Sequence, residues 1–246
     1  MNSTRETKPT HPTFSAPLKG ISSMATRQIL AELCDHYQRQ TGVVVALESV
    51  GGVDVAKRVA KGERFDLVVL ADDAIDRLID AGHLRAGSRV DLVCSGVAVA
   101  VRAGQPLPDI STEDALKQTV LLAKSISYST GPSGVALVKL FERWGIADEI
   151  RCHMVQAPPG VPVGSLVAAG QVDLGFQQLS ELLHVPGITI VGPLPDAIQI
   201  TTTFSAGLPI TVVTGSSQAE YLGGLLDFMT SEKAKAAIER QGMTAA

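Results

Sequence analysis

Aromatic side chains are scarce: Phe, Tyr and Trp make up 4% of the chain. A surface that stacks many bases or sugar rings needs more of them, so that class of binding is excluded. Neither sign of charge dominates. Lys and Arg number 21 against 25 Asp and Glu, a formal net charge of −4, and no nucleic-acid partner is expected. Cysteine is sparse. Cys34, Cys94 and Cys152 are odd in number and far apart, with no CxxC pair and no Cys/His cluster. Structural disulfides and a zinc site are therefore not expected, and three reduced, mostly buried thiols are. No run of 18 apolar residues occurs, so no membrane insertion is expected. No charged start followed by an apolar run is visible near residue 1, so no export leader is read. As written the chain reads as cytoplasmic; with a leader outside this sequence it would be periplasmic, and only then would a transport permease be a partner.

What the chain does have is a dense apolar pattern. Hydrophobic residues are 45% of 246, enough for one large core or two small ones. Residues 1–17, with Pro9, Pro12 and Pro17, are expected to be a disordered arm. A short run at 18–21 meets Ser22 and Ser23, and a helix is expected over 24–39, stopped by Gly42. An apolar strand at 43–47 leads through Ser49, Gly51 and Gly52 into a helix ended by Gly62. A strand at 65–70 and a helix capped by Asp72 or Asp73, stopping at Gly82, follow. This alternation is the rhythm of a mostly parallel sheet. Further strands are expected at 97–101, 125–128, 152–155, 173–176, 188–191, 198–204 and 209–213. Helices are expected at 111–122 with Ser111 as cap, 135–144, 164–169, 179–184, 216–229 and 231–241.

The stretch KSISYSTGPSGVALVKLFERWG, residues 124–145, stands out. A polar loop, Ser129-Thr130-Gly131-Pro132-Ser133-Gly134, opens an amphipathic helix. Such a loop can offer backbone N–H groups and hydroxyls to an anion. It lacks the Lys-Ser/Thr ending of a nucleotide P-loop, so ATP is not its natural ligand. An ordinary capped connection is the alternative.

The order of elements resembles the type II solute-binding proteins, in the branch similar to molybdate-binding proteins. The resemblance spans residues 18–243. It rests on Ser22-Ser23 before the first helix, AKRVAKGERFDLVVLAD at 56–72, GPSG at 131–134, Val172-Asp173-Leu174-Gly175-Phe176-Gln177, and Ser231-Glu232-Lys233-Ala234. It implies an α/β fold of two lobes, a Venus flytrap, with a central cleft and two hinge crossovers near 90–95 and 192–202. The implied lobes are 18–91 with 200–246, and 92–199. A monomer is implied.

Carried over residue by residue, the molybdate pattern matches at Ser23 and Ser133. It departs where a loop Ser is replaced around Gly51-Gly52, and where a Tyr is replaced by Gln178. Pro162 has no N–H where a backbone donor is used. DLVVLAD, AKSISYS, GPSG and LGFQQLSELL look more like the subgroup that includes aconitate isomerase. The resemblance thus implies a small organic polycarboxylate or other small anion, bound with no metal and no cofactor. Two alternatives accompany it: cofactor-free isomerisation of cis- and trans-aconitate, and molybdate or tungstate binding for a transporter.

The expected ligand-binding set is Ser22, Ser23, Ser49, Gly51, Gly52, Ser129, Thr130, Ser133, Gly134, Gln177 and Gln178. Hydroxyls, amides and glycines that allow close backbone approach suit an anion held by neutral dipoles. Arg27, Lys57, Arg58 and Arg102 are the candidate cations. For proton transfer the candidates are Ser23, Ser133, Glu48 and Tyr128, with Asp72 and His83 also possible bases. His36, His153 and His184 read as structural or exposed, and His11 falls in the arm.

Overall fold

The computed structural model describes residues 16–246. Most of the expected arm, including His11, lies outside the described residues. The chain opens with β1 (Leu18–Ser23), a 3-10 turn over Met24–Thr26, α1 (Arg27–Thr41), β2 (Val45–Val50), α2 (Gly52–Ala60), β3 (Leu67–Ala71) and α3 (Asp72–Asp80). β1 runs parallel to both β2 and β3, with Leu18 opposite Val45 and Gly20 opposite Leu67. α1 buries Ile29, Leu30, Leu33, Cys34 and Tyr37 on one face, the spacing of an amphipathic helix. It ends on Gly42 at φ 76°, a left-handed cap that glycine adopts without strain.

The chain continues through β4 (Val90–Arg102), α4 (Glu113–Leu122), β5 (Ile126–Tyr128), α5 (Pro132–Arg143), α6 (Ala147–Ile150), β6 (Met154–Gln156), α7 (Val163–Ala168), β7 (Leu174–Gln178) and α8 (Leu179–Leu182). It closes with β8 (Ile188–Pro193), β9 (Thr201–Gly207), α9 (Ser217–Met229), α10 (Glu232–Arg240) and β10 (Met243–Ala245). The strands run in the order β2-β1-β3-β9-β4-β7-β5-β6.

β4 joins the two halves of this array. Its first part, Val90 to Gly96, lies antiparallel to β9, and β10 flanks it at Ser95. Its second part, from Val97 onward, pairs with β7 and with β8. Each half has its own core. Around the first sheet, Leu30, Leu33, Phe204 and Leu225 pack on one face and Ile21, Val55, Val68 and Ile75 on the other. Around the second, Leu116, Phe141 and Phe176 pack on one face and Val163 and Val167 on the other. The result is the expected two-lobed α/β architecture.

The first crossover is not a loop but the middle of β4. The return passes through residues 194–200, where Gln199 ties the crossings together. Its Oε1 accepts the N–H groups of Val97 at 3.1 Å and Ile200 at 2.9 Å, and its Nε2 donates to the Leu194 carbonyl at 3.4 Å.

Four local expectations need correction. Residues 209–213 form a turn, not a strand. Pro209 makes a single bridge to Leu84, and its ring has no N–H with which to extend a ladder. α4 is capped by Thr112, whose Oγ1 accepts the Ala115 N–H at 3.1 Å, while Ser111 donates its N–H to Asp109. α3 has no aspartate cap, because β3 runs straight into it and Asp72 is already its first residue. Of the three thiols only Cys34 is buried, with Cys94 intermediate and Cys152 exposed. Burial pushes the Cys34 thiol up to about 12. No described helix is long and apolar enough to cross a membrane.

Candidate functional site

Three chain segments converge between the lobes. The first is the end of β1 with the start of α2. β1 carries Ser22 and Ser23 at its C-terminal end, and α2 begins at Gly52 after Gly51. Asp54 and Val55 turn their N–H groups back to the Gly51 carbonyl at 2.8 and 3.0 Å. The N–H groups of Gly52 and Val53, the first two residues of the helix, have no partner inside it.

The second segment is the loop before α5. Gly134 lets that loop fold onto the helix it opens: a Cβ there would lie 1.9 Å from the Ser129 carbonyl oxygen. This close approach sets Ser129 Oγ 3.4 Å from Ser133 Oγ. Pro132 occupies the first helical position, where its missing N–H costs no helical bond. The third segment is the junction of β7 and α8, with Gln177, Gln178 and Glu181, beside Thr202 of β9.

These segments bound a cavity of about 490 Å³. Ser23, Gly51, Gly52, Ser129, Thr130, Ser133, Gln177 and Gln178 all line it. Its remaining wall is apolar, with Val53, Ala56, Leu78, Pro158, Val161 and Pro162. Two wall atoms are orphaned. Ser23 Oγ and Gln178 Oε1 are buried without a hydrogen-bond partner, in residues only 7% and 2% exposed. Each such atom costs about 1–3 kcal/mol. Gln178 Nε2 donates to Thr202 Oγ1 at 2.8 Å. Because a hydroxyl both donates and accepts, the Gln178 amide can present either its carbonyl or its NH₂ to the cavity. Gln177 Oε1 accepts the Gly164 N–H at 3.3 Å.

Other expected site residues lie off the cavity wall. Ser22 is fully buried, and its Oγ meets Ser49 Oγ at 2.8 Å, so this pair knits β1 to β2. Gly134 sits beneath the loop. Glu48 pairs with Arg58 through bonds of 2.7 and 2.9 Å, which hold its carboxyl below the usual range. Tyr128 packs against the second lobe's core. Asp72 faces Arg89 at 3.5 Å, and His83 follows α3.

Among the candidate cations, Arg58 is held between Glu48 and Glu63, Arg102 lies against Gly170, and Arg27 borders a separate hollow with Ser49. Lys57 lines the cavity and is exposed. Arg77 shares the wall but pairs with Asp73 at 2.7 Å.

Glu181 and Thr202 were not among the residues singled out from sequence. Among the described residues that line the cavity, Glu181 is the only carboxylate. Loss of water around it raises its pKa to about 7, opposed in part by a hydrogen bond from Gln177. The residue keeps intermediate exposure, since the cavity opens to solvent while packed atoms crowd the carboxyl. Its spacing, four residues after Gln177 on the helix that follows the strand, was the available signal. For Thr202 it was the alternation in Thr201-Thr202-Thr203, of which only Thr202 is buried.

The model of the family described as bacterial extracellular solute-binding protein matches residues 18–244. The chain belongs to this family. An aconitate isomerase from a Pseudomonas species is 40% identical to this solute-binding-protein family member over 229 residues, covering 91% of this chain and 86% of that protein. The periplasmic molybdate-binding protein of Azotobacter vinelandii has the same fold, with a TM-score of 0.74 at 21% identity, covering 92% of this chain and 98% of its own. The sulfate-binding protein of Mycobacterium tuberculosis superposes with a TM-score of 0.72 at 16% identity, covering 92% and 86%.

Proposed function

We propose that this protein interconverts cis- and trans-aconitate in the interlobe cavity, without a cofactor. The observation that carries the reading is the pair of buried, unpartnered polar atoms, Ser23 Oγ and Gln178 Oε1, in two residues that line one cavity. Atoms left unpaired at such cost point to a ligand that pairs them. The cavity falls in the range of about 300–1,000 Å³ that holds small organic molecules, roomier than a compact tetrahedral oxyanion needs. The relative at 40% identity gives the ligand its chemistry.

The reaction is an allylic proton shift. A C–H bond breaks at the methylene carbon, its electron pair enters the allyl system, and the double bond moves over. A C–H bond then forms at the former vinyl carbon. Nothing is oxidised or reduced. Charge developing on the adjacent carboxylate is stabilised by fixed donors: the hydroxyls of Ser23, Ser129, Thr130 and Ser133, the first-turn N–H groups at Gly51-Gly52, and the amides of Gln177 and Gln178. Lys57 supplies positive charge at the mouth.

The division into lobes, 18–91 with 200–246 and 92–199, is part of the same reading. The break in pairing along β4 between Gly96 and Val97, with Leu92 and Val93 in the first core, supports two lobes but favours a first boundary at 96/97 over 91/92. Closure of one lobe on the other would exclude water from the ligand.

A second reading is binding of a polycarboxylate or an oxyanion without turnover, favoured by the solute-binding fold itself. In an exported protein that reading brings a membrane permease as partner. Fractionation of the native protein decides between a cytoplasmic and an exported location. The purified protein incubated with cis-aconitate and followed by proton NMR tests the proposal. Appearance of trans-aconitate is expected. Thermal stabilisation by aconitate, molybdate or tungstate with no conversion would replace it with the second reading.

A further inference from the structure

We propose that Glu181 is the group that carries the proton between the two carbons, the catalytic base of the allylic shift. This rests on the isomerase reading. The geometry is selective. Among the described residues the cavity wall holds no His, Cys, Tyr or Asp, and Glu181 is its only carboxylate. Arg77 is paired with Asp73, and Lys57 sits exposed. Glu48 and Tyr128 lie elsewhere, as described above.

Glu181 is also held across the cleft. Its neighbour Ser180 donates to the Ala25 carbonyl at 2.9 Å, so α8 is tied to the turn that follows Ser23. The start of α8 is thereby fixed relative to the turn after Ser23, and Gln177 hydrogen-bonds the Glu181 carboxyl. A ligand whose carboxylates engage those donors would have its methylene carbon beside Glu181.

The charge state suits the task. Burial, opposed in part by the Gln177 hydrogen bond, raises this carboxyl to about 7, near the pH at which a base is most effective. The elements packed against α8 are β4, β7, β8, α7, the Met24–Thr26 turn and the chain at Gly242, where Arg240 is paired with Glu32; β8 and α7 hold no titratable side chain. β7 and the turn hold no titratable side chain. On β4, Asp91 is bound by Arg89 and Ser205, Cys94 meets Thr203, and Arg102 is at the far end. His184, on the next turn, meets Gln241 at 2.6 Å. Lys57 and Arg77 face it from across the cavity.

In the step itself, ionised Glu181 takes the methylene proton and becomes a neutral acid. It then returns a proton to the former vinyl carbon and is ionised again. Atoms and charge balance without a co-reactant. The ionised form is needed to start, so kcat rises with pH through the carboxyl's pKa. A bound trianion raises that pKa further, so the limb falls at or above about 7.

The test compares the wild-type protein with Glu181→Gln and Glu181→Asp. Conversion of cis-aconitate is followed by NMR from pH 5.5 to 9, and trans-aconitate binding by calorimetry. For Glu181→Gln the expected result is a kcat about 10²- to 10⁴-fold lower, a Kd for trans-aconitate within about threefold, and no rising limb. Glu181→Asp should keep the limb at lower kcat, which separates chemistry from folding should the Gln variant not fold. Stability gives an independent readout. A carboxyl raised in the folded state stabilises most below its unfolded pKa, about 4.3, and that contribution is lost as pH rises to about 7. Glu181→Gln should flatten this trend. Glu181→Gln turnover within tenfold of wild type with the limb intact overturns the role of Glu181 and leaves the isomerase reading standing. A folded wild-type protein that binds aconitate and converts none overturns both.

Discussion

Ser23→Ala should move stability and binding in opposite directions. In the ligand-free protein Ser23 Oγ is buried and has no partner, so deleting it removes a desolvation cost of about 1–3 kcal/mol. A few van der Waals contacts are lost in return, each about 0.1–0.2 kcal/mol. The variant should therefore be more stable than wild type by about 1–2 kcal/mol. For a chain of this size that raises Tm by roughly 2–8 °C. With ligand the order reverses. A hydrogen bond to a charged carboxylate contributes about 1.5–3 kcal/mol, so Kd for aconitate should weaken about 10- to 100-fold. Ligand at 100 times the wild-type Kd stabilises wild type by about 2.7 kcal/mol. The same concentration should stabilise the variant by only about 0.4–1.4 kcal/mol. Differential scanning calorimetry with and without trans-aconitate reads both effects. A variant less stable than wild type without ligand, or one with an undiminished ligand shift, would refute the assignment of Ser23 as an unpaired ligand donor.

Gly134→Ala places a Cβ 1.9 Å from the Ser129 carbonyl oxygen. It should cost about 3 kcal/mol or more and disorder the Ser129–Ser133 loop; urea denaturation and a loss of ligand binding would register it. Lys57→Ala should leave ligand-free stability within about 0.5 kcal/mol. It should weaken binding of a trianion by about tenfold, within the range for partly shielded charges, and flatten the dependence of Kd on salt, both measurable by calorimetry. Asp91 is held below its ordinary pKa by Arg89 and then by Ser205. Its contribution is present above the unfolded value, about 3.9, and is lost as pH falls through the lower folded value. Asp91→Asn should therefore lower Tm at pH 7, with the gap to wild type closing below about pH 4; thermal melts across that range check it.

Much of this architecture is legible along the chain, because apolar periodicity and glycine stops are local signals. Gly42, Gly62, Gly82, Gly145, Gly170 and Gly242 all stand at positive φ, where the sequence pattern placed the ends of helices. Long-range features were not legible. The apolar pattern starts β4 at 97 because Asp91, Cys94, Ser95 and Gly96 interrupt its apolar run, yet pairing with β9 extends the strand back to Val90. The loops that converge on the cavity were recognisable by their small polar residues. Which of those residues face the cavity was not. Ser22 and Ser23 are equivalent as letters, and only the pleat sends one into the sheet interior and the other to the cavity. Glu181 carries no local signal, because a glutamate on a short helix usually faces solvent; the packing of α8 against β4, β7 and the Met24–Thr26 turn is a tertiary fact.

The most direct measurement is proton NMR of purified protein with cis-aconitate in deuterated buffer. The expected result is accumulation of trans-aconitate, with any solvent deuterium confined to the carbon that gains a proton, and loss of the conversion in Glu181→Gln. Saturable binding of aconitate with no conversion over hours would contradict it and leave a binding protein in place of an enzyme.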